Sequence, residues 1–286
     1  MDLNLKNITF IIVTYKSEHI IKACINSLPK GCNKIIIENS KNIKFKEDLE
    51  KEYDNIEVVL NDNIGMGAAN NIGLIKCKTK YAYVINPDVR FKNDSIQKLI
   101  EETNSIGDFA IVSPVNEDEN NPNYKNYNNK KNDNEKILSV DEIDGFSMLI
   151  NRDKFKDQIY FDDNFFLYLE NTDLCLRVKN KKENMFIIKD SKIEHLGFSS
   201  TSISKNKDIE YLRNWHWMWS KFYFNKKHFG FYLAIKKTYL NLFSAIFKFL
   251  IFIILFNSFK RKIYLYRILG LWNSMIGKKS WFRIDV

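Results

Sequence analysis

A chain of 286 residues with 45% apolar content can bury a sizeable core, so it fits one large domain or one domain with an appendage, not a disordered segment. Four scattered cysteines (Cys24, Cys32, Cys77, Cys175) exclude a disulfide framework and any cysteine metal spacing, and the opening Met1-Asp2-Leu3-Asn4 gives no reason to expect a signal peptide. The net charge of +9 is uneven: residues 211–286 hold 14 Lys and Arg against one acid, with all five tryptophans, and the rest holds 30 basic against 34 acidic groups.

In chain order, Ile8–Thr14 reads as a buried strand and Ser17-Glu18-His19-Ile20 opens a helix to about Ser27. Asn33–Glu38 and Ile56–Leu60 are further apolar runs, the first ending in Glu38-Asn39-Ser40. Asp62-Asn63-Ile64-Gly65-Met66-Gly67 is a turn feeding a helix from Ala68 to about Lys76, before a fourth strand over Tyr81–Ile85. Strands alternating with helices argue for βαβ units and a parallel sheet. Residues 116–136, rich in Asn, Lys, Asp and Glu, predict a mobile surface loop without a core. Val140–Ile150 predicts one strand entering through Asp144-Gly145, and Asn171 or Thr172 can cap a helix carrying Leu174, Leu176 and Val178. Met185–Ile188 predicts a short strand, followed by Ile193-Glu194-His195-Leu196-Gly197.

The fourth strand carries the chemistry. It stops at Asn86-Pro87-Asp88, because proline cannot continue a central strand. Asp88 then stands just past the carboxyl end of a strand, where open α/β sheets bind ligands. A carboxylate there suits a hard divalent cation bridging to a diphosphate. Taken alone, Asn-Pro-Asp is also ordinary turn chemistry.

Seven short motifs in order remove that ambiguity: Val13-Thr14-Tyr15, Glu38-Asn39-Ser40, Asn63-x-Gly65 with Asn70-Asn71-x-Gly73, Asn86-Pro87-Asp88, Asp144-Gly145, Glu170-x-x-Asp173-Leu-Cys-Leu-Arg177 and His195-x-Gly197-x-Ser199. Together they resemble the family 2 inverting glycosyltransferases of GT-A fold, the rhamnosyltransferases and galactofuranosyltransferases of bacteria above all, over roughly residues 7–230. The resemblance implies an α/β fold with a Rossmann-like, mostly parallel central sheet flanked by helices. The catalytic domain is expected over 1–210, with the loop 116–136 inside it, and a basic aromatic helical region over 211–286.

It also implies roles. The enzyme would move a sugar from a dTDP- or UDP-sugar to a lipid-linked or glycan acceptor in surface polysaccharide assembly, with Mg²⁺ or Mn²⁺. Thr14 and Tyr15 would line the base pocket, with Glu38 in place of the family's usual Asp, one methylene longer. Asn39, Asn63, Gly65, Asn70 and Asn86 would complete the donor site, and Asp144 and Gly145 the acceptor side. Asn70 stands where many members carry Arg, and Asn86 replaces the first Asp of Asp-x-Asp. Asp88 and His195 would bind the metal. The family's general base lies in a Glu-Asp-x-Asp segment, here Glu170-Asn171-Thr172-Asp173. Asn171, at the usual base position, cannot take a proton, so Glu170 is expected to act, with Asp173 second. Both acids also suit the first turn of a helix without any catalytic role, and Arg177 suits a phosphate or a salt bridge along the helix.

The tail is a separate problem. Glu210-Tyr211-Leu212-Arg213-Asn214-Trp215 resembles the family's aromatic helix, expected to pack on the catalytic body. Phe231–Asn257 is apolar nearly all round. Tyr239–Phe256 is long enough to raise a transmembrane reading, which Lys248 near its middle weakens. With Lys260-Arg261-Lys262 following, a segment lying in the interface explains more of the pattern, at the cytoplasmic membrane face. A buried helical bundle or an oligomer contact is the third option. Two functional alternatives stand beside the transferase. One is an inactive sugar-nucleotide-binding relative. The other is a nucleic-acid-binding protein, suggested by a pI near 9.1 but leaving the strand-end carboxylates unexplained.

Overall fold

The computed structural model describes residues 2–127, 136–197 and 207–283. The chain divides into two compact units, Met1–Asp162 with Asn171–Ser202, and Asp163–Glu170 with Ile203–Val286. The expected boundary at 210/211 therefore falls inside a helix, and a short segment just before Asn171 groups with the C-terminal unit.

The first unit alternates as expected: β1 Ile8–Thr14, α1 Ile21–Asn26, β2 Asn33–Glu38, α2 Ile43–Glu52, β3 Ile56–Leu60, α3 Met66–Lys76, β4 Tyr81–Ile85, β5 Val89–Phe91 and α4 Ser95–Ile106. Then come β6 Ile111–Asn116, β7 Tyr124–Lys125, β8 Ile137–Ser139, β9 Glu142–Ile143, β10 Ser147–Asn151, α5 Glu170–Asn180 and β11 Met185–His195. The main sheet runs β3-β2-β1-β4-β10-β6-β11-β5, with β8 paired to β11. Its first four strands are parallel, β10 is antiparallel to both neighbours, β11 is parallel to β6, and β5 and β8 pair antiparallel with β11. The sheet is thus parallel on one side and mixed on the other.

β1 and β4 read as continuous apolar runs because both their faces are covered. Phe10, Ile12, Tyr83 and Ile85 enter one core, and Ile11, Val13, Ala82 and Val84 the other. α3 lies close on β1 because Gly73 has no side chain: a Cβ there would stand 2.5 Å from Ile11 Cγ2.

Three sequence expectations are corrected, and the first is that the short strand at Met185–Ile188 runs on to His195 as β11. Val140–Ile150 is two strands, because the chain turns at Asp144-Gly145-Phe146 between β9 and β10. The loop 116–136 is ordered in part: β7 pairs with β9, and Asn123 is fully buried. Asn123 Nδ2 donates to Pro114 O at 2.8 Å, and its Oδ1 accepts from Asn116 N at 2.9 Å. A polar side chain with its hydrogen bonds met can serve as interior, which composition does not reveal. Residues 128–135 lie outside the described residues.

The second unit holds α6 Lys207–Phe229, α7 Phe231–Ile254 and α8 Ser258–Met275. Gly270 permits the crossing of α6 and α8, since a Cβ there would stand 2.1 Å from Trp215 O. Backbone cannot step aside as a side chain can. Gly270→Ala is expected to destabilise this unit by about 1–3 kcal/mol or more. Urea unfolding followed by tryptophan fluorescence checks this, because all five tryptophans lie in the unit. An unchanged midpoint would refute the close crossing.

Candidate active site

The order β3-β2-β1-β4 sets the position of the site. Successive strands move outward on one side of β1, and the chain then returns to place β4 on its other side. Such a reversal opens a crevice beyond the carboxyl ends of the two strands. Those ends are Thr14-Tyr15 and Asn86-Pro87-Asp88.

Beyond β4, Asn86 N donates to Phe146 O at 3.0 Å, and Cys24 Sγ donates to Asn86 O at 3.6 Å, which hold the turn in place. Asp88 is 1% exposed, and its Oδ1 is sealed from water with no hydrogen-bond partner. β11 pairs with β5 so that His195 stands opposite Val89, and His195 Nε2 comes to 3.4 Å from that oxygen. The imidazole stacks on Phe146, ring centres 3.9 Å apart. Leu196 N donates to Asp88 O, fixing the two chains together. A buried carboxylate oxygen without a partner is costly. Two ligands of one octahedral cation stand about 3 Å apart, so Asp88 and His195 suit a shared cation. Among the described residues no three His, Cys, Asp or Glu side chains cluster. A cation here would therefore take its remaining oxygens from a ligand or water.

The β1 side is polar and closely tied. Asn39 N donates to Thr14 O at 2.8 Å, and Asn61 Nδ2, past the end of β3, donates to Asn39 Oδ1 at 3.3 Å. Tyr15 N donates to Ser17 Oγ. Gly65 takes φ +96 at the start of α3, and its N–H donates to Asn63 Oδ1. Asn70 on α3 is 2% exposed, with Oδ1 unpaired.

Glu38 is engaged within its own loop. It is 1% exposed, and its carboxylate accepts from Ser40 N, Ser40 Oγ and Asn42 N. The extra methylene lets the carboxylate fold back onto its own loop, which it holds. Asn39 and Asn61 present amides beside it.

The segment 163–170 is anchored within the second unit. Ser220 Oγ donates to Leu167 O at 2.8 Å, the Phe166 ring lies against His216 and the Arg283 guanidinium, and Tyr168 meets Trp217 edge-on. His216 itself is kept neutral by burial, which lowers its pKa to about 3. Tyr168 and Leu169 both take left-handed φ, 71° and 68°, a strained pair directly before Glu170. Glu170 Oε2 is buried without a hydrogen-bond partner. Burial pushes its pKa up to about 7.

The helix begins at Glu170, so neither Asn171 nor Thr172 caps it. Asn171 Nδ2 donates to Ile143 O at 3.2 Å, and a Cβ on Gly145 would stand 3.1 Å from Asn171 Cβ. Thr172 Oγ1 donates to the buried Glu142. Asp173 is fully buried and accepts from Arg177 Nε at 2.9 Å, and Arg177 also donates to Ile159 O and Tyr160 O. Asp173 and Arg177 thus tie α5 to the preceding loop. Asp144 carries a raised pKa, chiefly from burial, with His195 and Lys125 opposing it and Glu142 adding to it. The motif's Ser199 lies outside the described residues.

Sequence reasoning missed Phe146, Asn61 and Arg90, whose Nε is also buried without a partner two residues past Asp88. Phe146 was hidden by reading one strand over Val140–Ile150. Asn61 adjoins a strand end in the same way as Asn39, and that position was the available signal.

The sequence is 24% identical over 208 residues to a low-salt glycan biosynthesis hexosyltransferase, Agl10, of Haloferax volcanii, covering 63% of this chain and 64% of that one. It is 27% identical over 198 residues to the rhamnosyltransferase WbbL of Escherichia coli K12, covering 59% and 75%. The fold resembles GalNAc-T7, solved with UDP, GalNAc and Mn²⁺ (TM-score 0.56, 14% identity, 68% of this chain and 44% of that one). It also resembles S. aureus TarS (TM-score 0.51, 12% identity, 73% and 39%). The sequence model of glycosyl transferase family 2 matches residues 9–166, more than half of the chain, which carries Asp88 at a GT-A-like strand end: the chain belongs to that family.

Proposed function

We propose that this glycosyltransferase moves a sugar, with inversion, from a dTDP- or UDP-sugar to a lipid-linked or glycan acceptor in surface polysaccharide or glycoconjugate assembly, as a peripheral protein of the cytoplasmic membrane face. The observation that carries the reading is the sealed, unpartnered Asp88 Oδ1 facing His195 Nε2 at the sheet's switch point. Asp88 and His195 would hold Mg²⁺ or Mn²⁺, which offsets the charge of a leaving diphosphate when bound. Thr14, Tyr15, Asn39, Asn63, Gly65, Asn70 and Asn86 form the donor side, and Asp144 with Gly145 the acceptor side. Inversion needs a base for the acceptor hydroxyl, on the face opposite the nucleotide. Glu170 supplies it, since its carboxyl carries a pKa near the working range and no competing hydrogen bond at Oε2. Asn171, bonded to Ile143 O, supplies none; this favours an inactive sugar-nucleotide-binding relative as the second reading, should Glu170 prove dispensable.

A screen of nucleotide-sugars tests the proposal. An active enzyme should show thermal stabilisation and slow donor hydrolysis, both dependent on the cation. Stabilisation without hydrolysis or transfer identifies the inactive relative. Phe146→Leu should weaken cation-dependent stabilisation about tenfold or more, because the ring orients His195. Phe146→Tyr, which keeps the ring, should restore it; unchanged cation affinity in Phe146→Leu would leave the ring without that role.

A further inference from the structure

α7 packs within the second unit through Ala234, Thr238 and Ala245, covered by residues of α6 and α8. On the opposite side Leu240, Phe243, Phe247, Leu250 and Ile254 recur at spacings of three and four, which makes one continuous stripe along the helix. The stripe runs into the turn at Phe256, and these six side chains are between 52% and 93% exposed. Isolated exposed apolar residues need no explanation, but a contiguous patch of this length marks an interaction surface.

The charges identify the partner. α8 runs back beside α7, with Phe252 stacked on Tyr264 at 5.6 Å. Lys260 Nζ lies 5.2 Å from the Phe252 ring and Lys248 Nζ 5.5 Å from the Tyr264 ring. Lys260 therefore flanks the last turns of α7, and Arg261 and Lys262 follow it in the first turn of α8, Lys262 Nζ 5.8 Å from the Tyr211 ring. A bilayer-spanning α7, although it has the length and composition for one, would place Lys248 in hydrocarbon, where a charge is expensive, and would carry Lys260, Arg261 and Lys262 across to the far side, against the usual retention of cations on the cytoplasmic face. With α7 lying flat, the stripe sinks about 5–10 Å into the boundary of headgroups and acyl chains, and the cations stay among the phosphates.

We infer that the α7 stripe is a monotopic contact with an anionic lipid surface, α7 lying in the interface and not crossing it. The inference deepens the membrane part of the reading above, and its test does not involve sugar transfer, so failure of the donor chemistry leaves it standing.

The full-length protein is floated with vesicles of phosphatidylcholine, alone or mixed with phosphatidylglycerol. Binding should be stronger on the anionic vesicles and fall with added salt. Phe243→Ser with Phe247→Ser should lower binding about tenfold or more with an unchanged circular dichroism spectrum. Replacing Lys260, Arg261 and Lys262 with Gln should remove the anionic preference. Alkaline carbonate should release the protein from membranes of expressing cells, a readout that stands even if a variant fails to fold. Retention through carbonate would identify a span. Self-association without vesicle binding would identify a second copy as the occupant. Either outcome, or normal binding by the double variant, overturns the inference.

Discussion

Glu170→Gln is expected to lower turnover by roughly two or more orders of magnitude, the usual scale for losing acid–base help, while nucleotide-sugar binding persists. The wild-type rate should rise with pH through about 7 as the carboxyl ionises, and the variant should lose that dependence. Stability follows with a definite sign. Burial raises the folded-state pKa from 4.5 to about 7, so the contribution of this group is full below 4.5 and lost as pH rises through about 7. The shift corresponds to about 3 kcal/mol. Glu170→Gln should therefore be more stable than wild type above neutral pH, with equal or lower stability in acid. Steady-state kinetics and thermal unfolding across the same pH range check both halves. Asp173→Asn should do the opposite, sparing turnover and destabilising the fold, because it removes the charge of a fully buried carboxylate that pairs with the partly exposed Arg177. Near-normal transfer by Glu170→Gln would sink the assignment. A severe turnover loss in Asp173→Asn alone, with donor affinity intact, would move the base there.

Asp88→Asn is expected to reduce transfer by about a hundredfold or more, on the scale of losing one charge-stabilising group, and EDTA should abolish transfer in the wild type. The fold should survive the substitution. It removes a buried charge whose Oδ1 has no hydrogen-bond partner, so the metal-free variant should melt no lower than wild type. What it should lose is the stabilisation that Mn²⁺ and a nucleoside diphosphate give together. Differential scanning fluorimetry with the cation, the nucleotide and both separates these effects. Full activity in EDTA, or intact joint stabilisation in Asp88→Asn, would take the cation out of the mechanism.

Local chemistry made the first half of the fold legible. The apolar runs at Ile8–Thr14, Asn33–Glu38, Ile56–Leu60 and Tyr81–Ile85 are the observed β1 to β4: β1, β2 and β4 are covered on both faces and leave an almost unbroken signal, while β3 is a half-buried edge strand. Pro87 ended β4 by its own covalent geometry, and Gly65 and Gly73 marked a positive φ and a close helix approach. The family followed from such motifs, since their order survives at low identity. The amphipathic character of α7 was not legible, because Leu, Ile and Phe occur nearly all round it; only its packing partners show which face is left uncovered.

Sequence by itself determined where the strands end and which residue types stand there: Asn and Asp past β4, Asn past β2, and acids at the start of α5. It did not determine where their polar atoms point. Glu38 turned into its own loop, Asn123 became interior, Asp173 went to Arg177, and Asp88 and Glu170 kept buried oxygens without hydrogen bonds. Glu38, Asn123 and Asp173 found partners within about ten residues, but which nearby atoms they meet follows from how the loops close, and Asp88 faces His195, more than a hundred residues on. Periodicity and residue type report covalent and nearest-neighbour preferences, whereas hydrogen-bond satisfaction and desolvation are fixed only when distant segments close around a group.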